Sequence, residues 1–291
     1  MGRGPPPPPD RILADDAYLN EVVMHIAFYV ALCFTMHGVS SLLSSLFIDY
    51  YKTEATVGKD KKFVSGRAKS WATWCKRVEW DYTCNSAVYA SSIFYLYARG
   101  VLEFYGDLET RWTGISYYTT HGISFHIGSS IYETICYALS GKESVFYLHH
   151  IVTLGCCSSM LFTGRAQFWC CVLGIVEGSN VPLCFLTVMR AIPALRASTL
   201  YVVNGALLWL SYVALRVPIP IAMYLLAKDL VQHSKAKGGP AWVVADEDQN
   251  MKWAAFIFTS GTFLWLLSMW WFKKITDGIL KAIMPPKPKA D

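Results

Sequence analysis

Charge is what this sequence has least of: Asp, Glu, Lys and Arg make up 16% of its 291 residues, where a soluble domain carries about a quarter. That shortfall excludes an ordinary water-facing surface. Ten-residue segments of alternating polarity are missing too, which excludes a membrane β-barrel. No basic stretch precedes the first apolar run. Residues 5–9 are all proline and acidic residues follow, so that run reads as an uncleaved anchor and not as a signal peptide. The nine cysteines show no C-x-x-C spacing, which argues against a zinc or dithiol framework. Most lie in apolar runs, among them the neighbours Cys156–Cys157 and Cys170–Cys171, and read as small packing residues. The last apolar run holds no lysine that could bind retinal, and the receptor motifs D-R-Y and N-P-x-x-Y are absent. Histidines are too few for a histidine-box di-iron centre, and His25, His37 and His233 stand far along the chain from the others.

What the chain does have is apolar length. Apolar residues are 54% of the sequence and the mean hydropathy is +0.31. Runs at 21–48, 85–104, 114–139, 146–162, 166–188, 200–227 and 253–272 each approach the roughly 20 residues a helix needs to span about 30 Å of hydrocarbon. Unpaired backbone amides are too costly in lipid for anything but helix here. The fold class expected is therefore all-α, a polytopic membrane protein of seven transmembrane helices. Its segments are a disordered proline-rich N-terminus (1–20), a leading transmembrane helix (21–48), a basic loop (49–79), the main membrane domain (80–274) and a basic tail (275–291). Trp71, Trp74 and Val78 suggest a short surface helix in the basic loop. Residues 228–252 read as a loop with a Gly-Gly-Pro turn and an acidic stretch.

Seven crossings put sixteen Lys or Arg on the side of the basic loop and the tail, against eight on the other. The positive-inside rule then makes that side cytosolic and the N-terminus lumenal. A cationic cytosolic face also suits anionic head groups. No sizeable soluble domain is left, so function belongs to the membrane part or its short loops.

Ionisable residues in a span face the bundle interior by default and mark function. The third run carries His126 and Glu133, two helical turns apart on one face. The fourth carries His149, His150 and Thr153; consecutive residues point about 100° apart, so one of the two rings must look elsewhere. Glu177 and Asn180 share a side of the fifth, and Arg216 lies in the sixth just before Pro218 and Pro220, which must disturb the backbone there. At about 1.5 Å per residue, Glu133 and Thr153 fall roughly 10 Å from the cytosolic end of their helices, Asn180 about 13 Å and Glu177 about 17 Å. Four helices thus bring polar groups to one level, as around a shared cavity. The structural alternative for Glu177 is a pairing with Arg216 or Arg99, since buried charges are paired as a rule.

These segments resemble the TLC-domain family, which includes ceramide synthases and translocon-associated membrane proteins. YLHHIVTL (147–154) is similar to the family's HHxxT segment. IYETICYAL (131–139) is similar to the helix before it, VEGSNVPL (176–183) to the next, and ALRVPIP (214–220) to the later segment with its arginine. The order is kept over residues 80–274. The resemblance implies a leading helix followed by a six-helix bundle around a cavity open to the cytosol, in a protein of the endoplasmic reticulum acting in lipid metabolism or lipid homeostasis. By that resemblance His149, His150 and Glu177 would be catalytic, in acyl transfer from acyl-CoA to a lipid amine or hydroxyl. His126, Glu133, Thr153, Asn180 and Arg216 would bind substrate, and His150→Ala is expected to abolish function while preserving folding. Acyl-CoA would be a co-substrate and not a resident cofactor. Membrane lipid is the expected partner, nucleic acid and metal are not, and a homo-oligomer is compatible with the bundle. The ceramide synthase pattern H-D-x-S-D has Glu177 and Asn180 in its acidic positions here, which places the chain nearer the smaller TLC-domain proteins. The alternative function is a non-catalytic lipid-binding, composition-regulating or cargo-escort protein.

Overall fold

The computed structural model describes residues 16–47, 66–106, 108–236 and 247–283, and every regular element among them is helical. In chain order these are α1 (Asp16–Phe47), α2 (Gly66–Phe104), α3 (Leu108–Thr113), α4 (Tyr117–Ser140), α5 (Ser144–Thr163), α6 (Gln167–Gly174), α7 (Asn180–Ala191), α8 (Pro193–Arg196), α9 (Thr199–Leu215), α10 (Ile219–Ala236) and α11 (Glu247–Ile283). A 3-10 segment, Ile175–Ser179, joins α6 to α7. Five stretches are long and apolar enough to cross a membrane: Asp16–Leu43, Ser144–Thr163, Gln167–Arg190, Thr199–Gln232 and Ala255–Leu280. Helices α2 and α4 have the length, but the polar side chains they bury lower their hydropathy. They are the two that would complete the seven read from the sequence.

Local chemistry sets the ends of the central hairpin. Ser116 and Thr119 form a reciprocal capping box: the Thr119 N–H donates to the Ser116 hydroxyl at 3.3 Å, and the Ser116 N–H donates to the Thr119 hydroxyl at 3.1 Å. Gly141, at φ 70°, ends α4 in the left-handed conformation that a Cβ disfavours. Three residues later α5 begins, so the two helices pack as antiparallel neighbours. Ala166 also adopts a positive φ, 54°, and is held there by its N–H donating to the Trp112 carbonyl at 2.8 Å.

Several expected boundaries move. The surface helix expected around Trp71 is continuous with the second run, both lying in the 39-residue α2. The sixth run divides at 216–218, because Pro218 has no N–H to continue the ladder. The loop expected at 228–252 is helical up to Ala236 and again from Glu247, and α11 carries on to Ile283, into the expected tail. The proline tract, most of the basic loop, the Gly-Gly-Pro turn and the last eight residues lie outside the described residues.

Burial departs from that of a soluble bundle: apolar side chains lie on the outside as well as in the core. Phe28, Leu102, Val202, Ile221 and Leu266 are exposed, while Thr119, Ser124, Gln167 and Ser179 are fully buried. Lipid imposes this pattern: tails solvate Leu and Phe as well as a core does, whereas polar groups must find partners inside. Helix α4 is the hub, packed on α1, α2, α5 and α6. One polar chain ties four elements through it. The Thr119 hydroxyl donates to Gln167 Oε1 at 2.8 Å, Gln167 Nε2 donates to the Tyr18 hydroxyl, and that hydroxyl donates to the Leu161 carbonyl at 3.0 Å.

Candidate functional site

Glycine lets the walls of the bundle close. Added Cβ atoms on Gly174 and Gly178 would run into the rings of Tyr97 and Phe94, so only hydrogen allows the 3-10 segment to lie this close to α2. Tyr97 is thereby pinned, fully buried, and its hydroxyl meets His126 Nδ1 at 2.8 Å. The other ring nitrogen, Nε2, lies 3.8 Å from Glu177 Oε1. A carboxylate accepts only, so the tautomer with its proton on Nε2 suits both partners and leaves Nδ1 to accept from Tyr97.

Behind Glu177 the chain of polar contacts continues. Asn180 Nδ2 donates to Glu177 Oε2 at 2.7 Å, and Asn180 Oδ1 accepts from Arg216 Nη2 at 2.9 Å. A carboxamide is suited to this place because it can donate to an anion and accept from a cation at once. Arg216 is 2% exposed; its Nε donates to Ser179 Oγ at 2.6 Å and its Nη1 to Ser268 Oγ at 3.0 Å. Pro218 explains how a buried arginine reaches both sides. The break after α9 leaves Arg216 at a turn, facing the 3-10 segment and α11. The alternative pairing of Glu177 with Arg216 or Arg99 is corrected accordingly. Among the described residues Glu177 meets His126 and Asn180, Arg216 reaches it only through Asn180, and Arg99 lies over the Tyr118 ring, 4.9 Å from its centre.

A cavity adjoins this relay, enclosing about 690 Å³ of empty space with its open part included. Its lining runs from α4 through α5, α6, the 3-10 segment, Arg216 and α11, and is largely apolar, with Met160, Leu173, Ile257 and Leu264. Polar groups gather in it as His126, His149, Thr153, Glu177, Arg216 and Ser268. The histidine pair divides as helix geometry requires. His149 lines the cavity, with its ring edge-on to Trp271 and its Nδ1 buried without a hydrogen-bond partner among the described residues. His150 does not line it. Its Nε2 faces Glu133 Oε2 at 3.6 Å, and its ring stands edge-on to Tyr137. Glu133 also accepts from the Ser86 hydroxyl on α2.

Of the residues singled out from the sequence, His126, His149, Thr153, Glu177 and Arg216 therefore meet at the cavity. Asn180 stands behind it, and His150 and Glu133 form a separate couple. Sequence reasoning missed Tyr97, Ser86 and Ser268, none of which has a distinctive motif, and it read Cys157 as packing although its Sγ lies 3.8 Å from His126 Nδ1. Distance along the chain also misled about the other histidines. The His25 and His121 rings are 4.2 Å apart between centres, and His37 Nδ1 meets the Tyr132 hydroxyl at 2.7 Å.

Neither a curated protein nor a solved structure matches the chain. A family model does, over residues 28–277, and it is that of the TLC domain, named for TRAM, LAG1 and CLN8. That match spans most of the sequence and takes in every residue of the cavity. The chain is a multi-pass membrane protein and belongs to the TLC-domain family.

Proposed function

We propose that this protein transfers an acyl group from an acyl thioester such as acyl-CoA to a lipid amine or hydroxyl, inside the cavity, in the endoplasmic reticulum membrane. The observation that carries the reading is the combination of a largely apolar cavity with one polar wall where His149 Nδ1 has no hydrogen-bond partner among the described residues. The apolar lining would hold the chain, and the polar wall would meet the reacting carbonyl. His149 would take the proton of the attacking amine or hydroxyl. Arg216 uses three of its five N–H groups on Ser179, Ser268 and Asn180, so two remain for the oxyanion that develops on the carbonyl. The sixteen-to-eight charge asymmetry supports seven crossings with a lumenal N-terminus and a cytosolic C-terminus, which offers a cationic face to CoA phosphates.

Asn180 favours a second reading, in which the same cavity holds a whole lipid without chemistry, because it puts a neutral group where ceramide synthases have an acid. One experiment separates the two. Detergent-purified wild type and a His149→Ala/His150→Ala double variant are compared by intact-protein and lipid mass spectrometry. Acyl transfer predicts a bound acyl group or acyl-CoA in the wild type, in an amount that the double variant alters. Whole phospholipid in both, unchanged by the substitutions, would sink the transferase and leave the binding protein.

A further inference from the structure

Three groups on the cavity side of α4, α5 and the 3-10 segment stand in a row that the reading above does not use. Cys157 Sγ lies 3.8 Å from His126 Nδ1, and His126 Nε2 lies 3.8 Å from Glu177 Oε1. All three line the cavity. Cys157 and His126 are 5% and 7% exposed, so bulk water does not compete for their contacts. A thiol needs a base to become a nucleophile, the base needs a carboxylate to hold its tautomer and to balance the charge it acquires, and the row supplies them in that order. Spacings looser than a tight hydrogen bond are usual before substrate arrives. The supports behind the row point the same way. Asn180, itself held by Arg216, fixes Glu177, while the Tyr97 hydroxyl fixes the imidazole ring at Nδ1, the nitrogen the thiol also faces. Cys170, whose thiol faces Cys157 Sγ at 3.9 Å, is a second donor beside the nucleophile and not another base.

We propose that Cys157 is the acyl-accepting nucleophile, with His126 as its base and Glu177 as the residue that positions His126, so that transfer runs through an S-acyl-Cys157 thioester. The inference rests on the acyl-transfer reading and names its covalent step. In the first half, the Tyr97 O–H turns away from His126 Nδ1, the Cys157 proton passes to that nitrogen, and the thiolate sulfur bonds to the acyl carbonyl carbon. The bond from that carbon to the CoA sulfur breaks, and CoA leaves as its thiol with the proton from His126. One thioester replaces another, so no oxidant is needed and the exchange is close to balanced. In the second half, the lipid amine or hydroxyl bonds to the same carbon and gives its proton to His149. The bond to Cys157 Sγ breaks, and the sulfur recovers a proton by way of His149. Two histidines at one cavity thereby have separate work: His126 serves the thiol and His149 serves the acceptor.

The test uses the full chain in detergent, with palmitoyl-CoA carrying an alkyne tag and no acceptor lipid. Samples are quenched in acid, split by treatment with neutral hydroxylamine, and mapped by peptide mass spectrometry. The expected result is one tag per chain on the peptide holding Cys157, released by hydroxylamine. His126→Gln should form it about 10²–10⁴-fold more slowly. His149→Ala should form it and then fail to pass it to an added lipid acceptor. Cys157→Ser should lose the hydroxylamine-labile tag while eluting on gel filtration as wild type does, and Cys184→Ala, outside the cavity, should label normally. Turnover with full rate in Cys157→Ser, or a tag mapped elsewhere, overturns the thioester and leaves direct transfer at His149 standing. A wild type that neither turns over nor takes the tag refutes the acyl-transfer reading itself, and this step with it.

Discussion

Replacing Asn180 by Asp restores the acid of the ceramide synthase pattern, and the geometry predicts that it does harm here. Asn180 Nδ2 donates to Glu177 Oε2 at 2.7 Å, so an aspartate in the same rotamer would bring two carboxylate oxygens to that distance. At an effective dielectric of about 20, two unit charges so placed repel by about 6 kcal/mol. Arg216 Nη2, at 2.9 Å from the other side-chain atom, attracts the new charge by nearly the same amount. Those two quantities offset each other, and what is left is the lost hydrogen bond to a charged acceptor, about 1.5–3 kcal/mol. The assay is chemical or thermal unfolding of purified Asn180→Asp and wild type in the same detergent, with Asn180→Ala alongside. Asn180→Asp should unfold earlier by that amount, and Glu177→Gln in the same chain should recover most of the loss by removing the repulsion. An Asn180→Asp protein as stable as wild type would mean that Glu177 is not an anion facing Asn180, and the relay from His126 to Arg216 would have to be abandoned.

The divided histidine pair predicts different failures. His149→Ala should reduce acyl transfer by about 10²–10⁴-fold with its melting temperature unchanged, whereas His150→Ala should destabilise the fold by removing the imidazole that faces the buried Glu133; turnover and melting measured on both would reverse the assignment if the losses were exchanged. Gly174→Ala should push on the Tyr97 ring and destabilise by about 1–3 kcal/mol, and Tyr97→Phe added to it should bring little further loss, which a double-variant cycle reads directly. Arg111 holds Asp229 through Nε at 2.6 Å and Nη2 at 3.1 Å, joining α3 to α10. Arg111→Ala leaves the buried Asp229 unpaired and should cost about 3 kcal/mol, with Asp229→Asn in the same chain restoring part of it; equal stability of single variant and wild type would show the pair to be solvated.

The hydropathy of the chain is a local property, and what depends on it was legible. The all-helical class, the long apolar runs and the disturbance at Pro218 follow from spacing along the sequence, because a helix satisfies its own backbone and lipid rewards apolar length wherever it occurs. The candidates His126, His149, Thr153, Glu177 and Arg216 were legible for the same reason: each is a costly residue in an apolar run, whatever surrounds it. Cys157 was not, since a thiol is as much at home in a core as a methyl group and only its neighbour makes it chemical. Tyr97 and Ser86 were hidden likewise, being ordinary residues whose partners, His126 and Glu133, lie 29 and 47 positions away.

The sequence by itself thus determined the class of protein, the helices and the set of polar residues that would have to be reconciled inside them. Tertiary structure decided which of those residues meet. His149 and His150 are adjacent and chemically identical, and nothing in their order says which ring enters the cavity. That depends on the rotation of α5 about its axis, set by its packing against α4 and α11. Likewise Glu177 has two arginines as plausible partners in the sequence and takes neither directly among the described residues, because the break at Pro218 and the 3-10 turn at Ile175–Ser179 place Asn180 between it and Arg216. Helix formation is governed by neighbours within four residues, whereas rotation, crossing and contact are governed by side chains that the chain brings together only when it folds.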